Sequence, residues 1–166
     1  LIFGGQGPNP PMYANAEQWN GSTWTEVGDL NTARYLITGS GSTTAGLAFS
    51  GDVDPGERAL TESWNGSSWT EVNDMNTARD TGTGFGTSSA SFMVGGAEPS
   101  LSAKTEDWNG ASWSEVGDLN TARSAISSAR SGTTTNGLVF AGATPPVTGA
   151  TEEWASSSIA SKVLSD

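Results

Sequence analysis

The chain has 166 residues, of which 34% are hydrophobic and 15% charged, and it carries a net charge of −11 from 18 acidic and 7 basic residues. No cluster of Lys and Arg is present, which argues against nucleic acid and anionic membrane surfaces as partners, and no apolar run approaches the ~20 residues that span a bilayer. The absence of His and Cys excludes Ser-His-Asp and Cys-His catalysis, zinc held by nitrogen or sulfur, and disulfides.

Leu1-Ile2-Phe3-Gly4-Gly5 opens the chain as a short apolar strand ending in glycine. It starts in mid-pattern without an initiator methionine, so the true N-terminus is expected elsewhere. A proline-bearing loop follows at residues 6–13, and then the segment Glu17-Gln18-Trp19-Asn20-Gly21-Ser22-Thr23-Trp24-Thr25-Glu26-Val27. Asn-Gly between strand-forming residues is a strong hairpin signal, because a type I′ turn needs positive φ at both central residues. Next come Asp29-Leu30-Asn31-Thr32-Ala33-Arg34, a polar link with one apolar plug, and a strand over residues 35–41.

From there the pattern repeats. The apolar strand returns at residues 47–51, 92–96 and 138–142, and the link at 74–79 and 118–123. The first tryptophan of the hairpin returns as Trp64, Trp108 and Trp154, at spacings of 45, 44 and 46 residues. Self-similarity at such a period marks solenoids, propellers or arrays. Each repeat divides into four strand-like pieces with no sustained helical period, so the fold class is all-β. The fourth copy is broken: Ala155-Ser156-Ser157-Ser158 replaces the Asn-Gly turn and the second tryptophan is missing, while residues 159–164 are apolar enough to act as a closing strand.

Two turns fit the hairpin. A two-residue Asn-Gly turn sets Trp19 opposite Ser22 and Glu17 opposite Trp24. A four-residue loop sets Glu17 opposite Glu26, a like-charge pair. The two-residue turn is therefore expected. Either turn puts both tryptophans on one face.

A glycine-terminated apolar strand, a variable loop, a hairpin with aromatics about five apart and a link ending in Thr-Ala-Arg together resemble the kelch repeat. The matches are Gly4-Gly5 and Gly95-Gly96 for the double glycine, Trp24, Trp69 and Trp113 for the later aromatic, and Arg34, Arg79 and Arg123 for the repeat's end. The repeat is shorter than the kelch average of ~50 residues, and Trp stands where kelch has Tyr. The resemblance implies a β-propeller of four-stranded blades, with about three and two-thirds repeats here. Residues 1–34 would form a partial blade, 35–79 and 80–123 full blades, and 124–166 a degenerate one, all in one repeat domain. Such a chain would close as a four-bladed ring, associate with copies of itself, or form the C-terminal part of a longer propeller; the last two are favoured. The sequence is also similar to Trp-Asn-Gly repeats of marine phages and environmental viral sequences, where they are virion components.

The copper chemistry of kelch-type oxidases needs His and Cys, so no cofactor is expected. Arg34, Arg79 and Arg123 recur at equivalent positions beside repeated glutamates, which reads as a structural ion pair. The glutamates 17, 62, 106 and 152, and 26, 71 and 115, come once per repeat, whereas a catalytic pair is normally unique. Trp19, Trp24, Trp64, Trp69, Trp108 and Trp113 read as core, with Trp154 the least secure. Asp52, Asp54 and Glu57 share one loop, as hard oxygen ligands for Ca²⁺ would. They do not follow the EF-hand pattern, Arg58 would compete for them, and no metal is expected. Asn20 and Asn65 sit in formal glycosylation sequons that turn geometry already explains.

The framework repeats while the loop between the second and third pieces diverges, as expected where one rim carries specificity. The ligand-binding candidates are accordingly Asn9, Tyr13, Asp52, Asp54, Glu57, Arg58, Glu98, Lys104 and Trp154. The expectation is a non-enzymatic binding or structural module on a virion or other extracellular surface, presenting its loops to a protein or glycan, without nucleic acid or membrane partners. The alternatives are a glycoside hydrolase or lyase using Asp52, Asp54 or Glu98, and a purely architectural oligomerisation repeat.

Overall fold

A computed structural model describes residues 1–8, 11–129, 132–144, 147–155 and 162–164, the last three in backbone only. The described residues are all-β, without helices, in four antiparallel sheets whose strands follow chain order. The first sheet has three strands, β1 (Ile2–Gln6), β2 (Met12–Trp19) and β3 (Trp24–Val27). The second has β4 (Thr38–Gly41), β5 (Gly46–Phe49), β6 (Thr61–Trp64) and β7 (Trp69–Val72). The third has β8 (Thr83–Thr87), β9 (Ala90–Glu98), β10 (Ser100–Trp108) and β11 (Trp113–Glu115). The fourth has β12 (Ser127–Ser128), β13 (Asn136–Phe140), β14 (Thr151–Ala155) and β15 (Lys162–Leu164). Lys162–Leu164 pairs with β14 as the last strand of that sheet.

The tryptophan hairpin corrects the expected turn. Trp19 lies opposite Trp24 and Glu17 opposite Glu26, so the loop has four residues; the second and third hairpins have the same register. Only the glycines of these turns take positive φ, at +104°, +96° and +94°, whereas a type I′ turn needs Asn there as well. The asparagine acts through its side chain instead. Asn65 Oδ1 accepts from the backbone N–H of Ser67 (2.9 Å) and Ser68 (3.0 Å), and Asn20 and Asn109 do the same in their own loops. The register also stacks each tryptophan pair at ring centroid distances of 5.3–5.4 Å. The like-charge cost that argued against it is offset. Glu62 and Glu106 turn into buried ion pairs while Glu71 and Glu115 stay in solvent.

The core is three layers, one between each pair of successive sheets. Leu30, Ala48, Trp64 and Trp69 fill the first, with Phe3 and Ile37 against them. Leu47, Phe49, Met75, Met93, Trp108 and Trp113 fill the second. Phe85, Phe92, Val94, Leu119, Ile126 and Val139 fill the third, with Trp154 against them. Each link plug (Leu30, Met75, Leu119) thus enters the layer beside its link. A phenylalanine stands edge-on to a tryptophan at every junction: Phe3 to Trp69 (5.0 Å) and Phe49 to Trp113 (4.9 Å) at matching repeat positions, and Phe92 to Trp154, the first tryptophan of its hairpin (4.8 Å), at different ones.

The strands after the arginines begin later than the sequence predicts, at Thr38, Thr83 and Ser127. Leu36, Thr81 and Ala125 hold φ of 53°, 51° and 49°, which interrupts extended backbone just after each link. The third divergent loop is also shorter than expected. Ala97 and Glu98 continue β9, and Ser100, Leu101 and Ser102 begin β10, so only Pro99 lies between strands.

The second-strand glycine is set by its neighbour in the next sheet. Gly95 has φ +59°, and a Cβ there would lie 2.3 Å from Ile126 Cδ1 and 2.8 Å from the Arg123 carbonyl oxygen. Gly4 meets Ile37 and Arg34 in the same way. Ser50 carries a side chain at this repeat position (φ 66°), and there the residue matching Ile37 and Ile126 is Gly82. Gly95→Ala is expected to cost about 2–4 kcal/mol, combining left-handed strain with overpacking. Adding Ile126→Ala should recover part of that loss beyond additivity, which a double-mutant cycle of urea unfolding measures.

Candidate functional site

The repeated polar residues form one device, used three times. Arg79 is fully buried; its Nη1 donates to Glu106 Oε1 (2.7 Å) and its Nη2 to the Met93 carbonyl (3.3 Å). Glu106 Oε2 accepts from the Asn76 backbone N–H (2.7 Å) and from Asn76 Nδ2 (2.9 Å), and that same Nδ2 reaches the Trp113 carbonyl. On the other side, the Arg79 carbonyl accepts from the Gly51 N–H (3.3 Å) of the preceding sheet. Each arginine therefore ties the sheet behind it to the sheet ahead. Arg34 pairs with Glu62 (2.5 Å) and Arg123 with Glu152; Asn31 and Asn120 complete them. Burying these charges is tolerable because the carboxylate is paired and also takes backbone N–H groups. Sequence reasoning singled out the arginines and glutamates but missed Asn31, Asn76 and Asn120. Their signal was their unchanged place in all three links.

In this meander the divergent loops and the links fall at the same end of each sheet. Tyr35 pairs with Asp52, Asp80 with Ala97 and Ser124 with Ala143 through backbone bridges. Asp52 organises the second loop: its Oδ1 accepts from the Asp54 N–H (2.7 Å) and its Oδ2 from the Tyr35 hydroxyl (3.3 Å). Asp54 is exposed, at φ 44°. Arg58 does not compete for the loop carboxylates as expected. Its Nη1 donates to the carbonyls of Pro55, Gly56 and Glu57 at 3.0–3.4 Å, because the loop folds back around the guanidinium.

Asp80, from the next sheet, joins this neighbourhood. Burial pushes its carboxyl above the ordinary range, the Thr81 hydroxyl pulls it down, and the Glu57 and Asp52 charges push it up. Desolvation and then Asp52 likewise raise the Tyr35 phenol. Among the described residues no group of three acidic side chains is arranged to hold a metal ion.

The other candidates lie apart. Glu98 Oε1 meets Lys104 Nζ (3.4 Å) and accepts from Ser102 Oγ (3.0 Å), while Lys104 Nζ also donates to Thr77 Oγ1 (3.1 Å). Tyr13 is exposed on β2, its hydroxyl against Gly7. Asn9 lies outside the described residues. Trp154, expected to be the least secure in the core, packs on Phe92 and donates from Nε1 to the Thr134 carbonyl (3.2 Å). Trp64 and Trp108 make the same bond to Thr43 and Ser88. The exposed pair is instead Trp19 and Trp24, at 42% and 49%. Among the described residues no phenylalanine ring stands against them as Phe3 does against Trp69, which sequence periodicity could not show.

A cleft of about 520 Å³ opens between β1, β4 and β8, lined by Phe3, Ile37, Thr38, Ser40, Thr83 and Phe85 among others. None of Asp52, Asp54 and Glu98 lines it. Neither a family model nor a curated protein sequence matches the chain.

Proposed function

We propose that the four sheets are blades of a kelch-like β-propeller and that the chain is a non-enzymatic module binding a protein or glycan through its loop end. The observation that carries this reading is how the repeat divides its residues. Arg34, Arg79 and Arg123 with Glu62, Glu106 and Glu152 are buried in the joints between sheets. The side chains that differ between repeats stand at the loop end, among them Asp52, Asp54, Glu57, Arg58 and Glu98. Repeat architectures place specificity on such loops while the framework supplies stability. The net charge of −11 favours neutral or basic partners over anionic ones. Its place on a virion or other extracellular surface rests on the similarity of the Trp-Asn-Gly repeats to virion components.

A glycan array probed with the chain, and with a variant whose four divergent loops are replaced by Gly-Ser segments of equal length, tests this reading. Selective binding by the parent and none by the variant is the expected result, with both proteins giving the same far-ultraviolet spectrum. Unchanged binding after replacement overturns it. Turnover of any bound glycan would favour the rival hydrolase or lyase.

A further inference from the structure

We propose that the three tryptophan-hairpin turns are sites of self-modification, in which Asn20, Asn65 and Asn109 lose ammonia to the following glycine nitrogen and become aspartate or isoaspartate. Asparagine before glycine is chemically labile, because no side chain hinders the approach of the glycine nitrogen to the amide carbon. The chain has four such pairs, at residues 20–21, 65–66, 109–110 and 136–137. The fold treats them differently. The first three are exposed at the tips of their hairpins. In each, Oδ1 accepts from the backbone N–H of the residues two and three ahead at 2.9–3.0 Å, which folds the amide over the loop rather than out into solvent. Among the described residues the N–H of Gly21, Gly66 and Gly110 has no hydrogen-bond partner.

This geometry suits the reaction. The glycine nitrogen, its proton taken by hydroxide, bonds to Cγ, and negative charge develops on Oδ1, where two N–H donors already point. The tetrahedral carbon then expels the amide nitrogen, which takes a proton from water and leaves as ammonia. The hydroxyl of Thr23, Ser68 or Ser112 stands at that leaving group, 3.1–3.4 Å from Nδ2. Water opens the resulting five-membered imide at either carbonyl, giving aspartate or isoaspartate, and nothing is oxidised or reduced. Asn136 is the internal contrast. Gly137 is buried in the β13–β14 ladder, and a Cβ there would lie 2.3 Å from the Phe85 ring, so its nitrogen is not free to move onto Cγ. Each conversion adds a negative charge at the hairpin end of its sheet, opposite the divergent loops, and isoaspartate also lengthens the main chain by one carbon. The arginine joints lie outside the altered bonds, so the framework persists.

Peptide mapping by mass spectrometry of the folded chain, incubated at mildly alkaline pH below its melting temperature, tests this. Asn20, Asn65 and Asn109 should convert to a mixture of aspartate and isoaspartate, at rates that rise with hydroxide concentration, while Asn136 survives several-fold longer. In urea all four should convert at comparable rates, which shows that the fold makes the difference. Three turns that stay intact in the folded chain, an Asn136 that converts there as fast as they do, or a difference that persists unchanged in urea overturns the proposal. The readout does not involve the divergent loops, so its failure is separate from failure of the binding reading.

Discussion

Arg79→Met is expected to destabilise the protein by about 3–5 kcal/mol, the cost of leaving one partner of a buried ion pair without the other. Arg79 and Glu106 are 0% and 1% exposed, so water cannot take over either role. Small domains have total stabilities of about 5–15 kcal/mol, and the variant should sit near its unfolding midpoint in little or no denaturant. Removing Glu106 as well should recover only part of the loss. The double methionine variant has no buried charge here, but it strands the Asn76 N–H and Nδ2 donors that Glu106 accepts. Arg79→Lys should fall between, because an ammonium cannot reproduce the fork that reaches both Glu106 and the Met93 carbonyl. Urea unfolding of the three variants ranks them, and a null effect of Arg79→Met would show that this joint does not hold the sheets together.

Trp113→Ala and Trp24→Ala should differ sharply although the two residues hold the same place in the repeat. Trp113 is packed against Phe49 and Trp108, and its Nε1 donates to Thr61 Oγ1 across the sheet junction (3.0 Å). Truncating it should cost about 3–5 kcal/mol. Trp24 stacks beside Trp19 and is 49% exposed, so its truncation should cost about 1 kcal/mol. Melting of both variants checks this. Equal losses would mean that Trp24 is covered within a single chain.

Both predictions bear on function through one division of labour. The joints hold the sheets in a fixed relation, and each loop is carried on strands whose position the joints determine. Changes at Asp54 or Glu57 therefore leave the framework alone, whereas Arg58 is bonded to three carbonyls of its own loop and shapes that loop. The loop residues form small local sets, Tyr35 with Asp52 and Asp80 in one, Glu98 with Lys104 and Thr77 in another.

The all-β class, the shared face of the paired tryptophans and the pairing of the repeated arginines with repeated glutamates all follow from residue order. They rest on local signals, namely turn residues, the period-two alternation of strands and a spacing that recurs. The same signals led to a two-residue turn, because like charges at Glu17 and Glu26 look unfavourable while the arginine that neutralises the equivalent Glu62 lies 28 residues away in the chain. Which tryptophans are buried was likewise out of reach. Trp24, Trp69 and Trp113 are alike in sequence, and only the packing of one sheet on the next buries the last two while Trp24 stays 49% exposed. Burial belongs to pairs of surfaces, and a repeat carries the pattern of one surface without saying which neighbour will cover it.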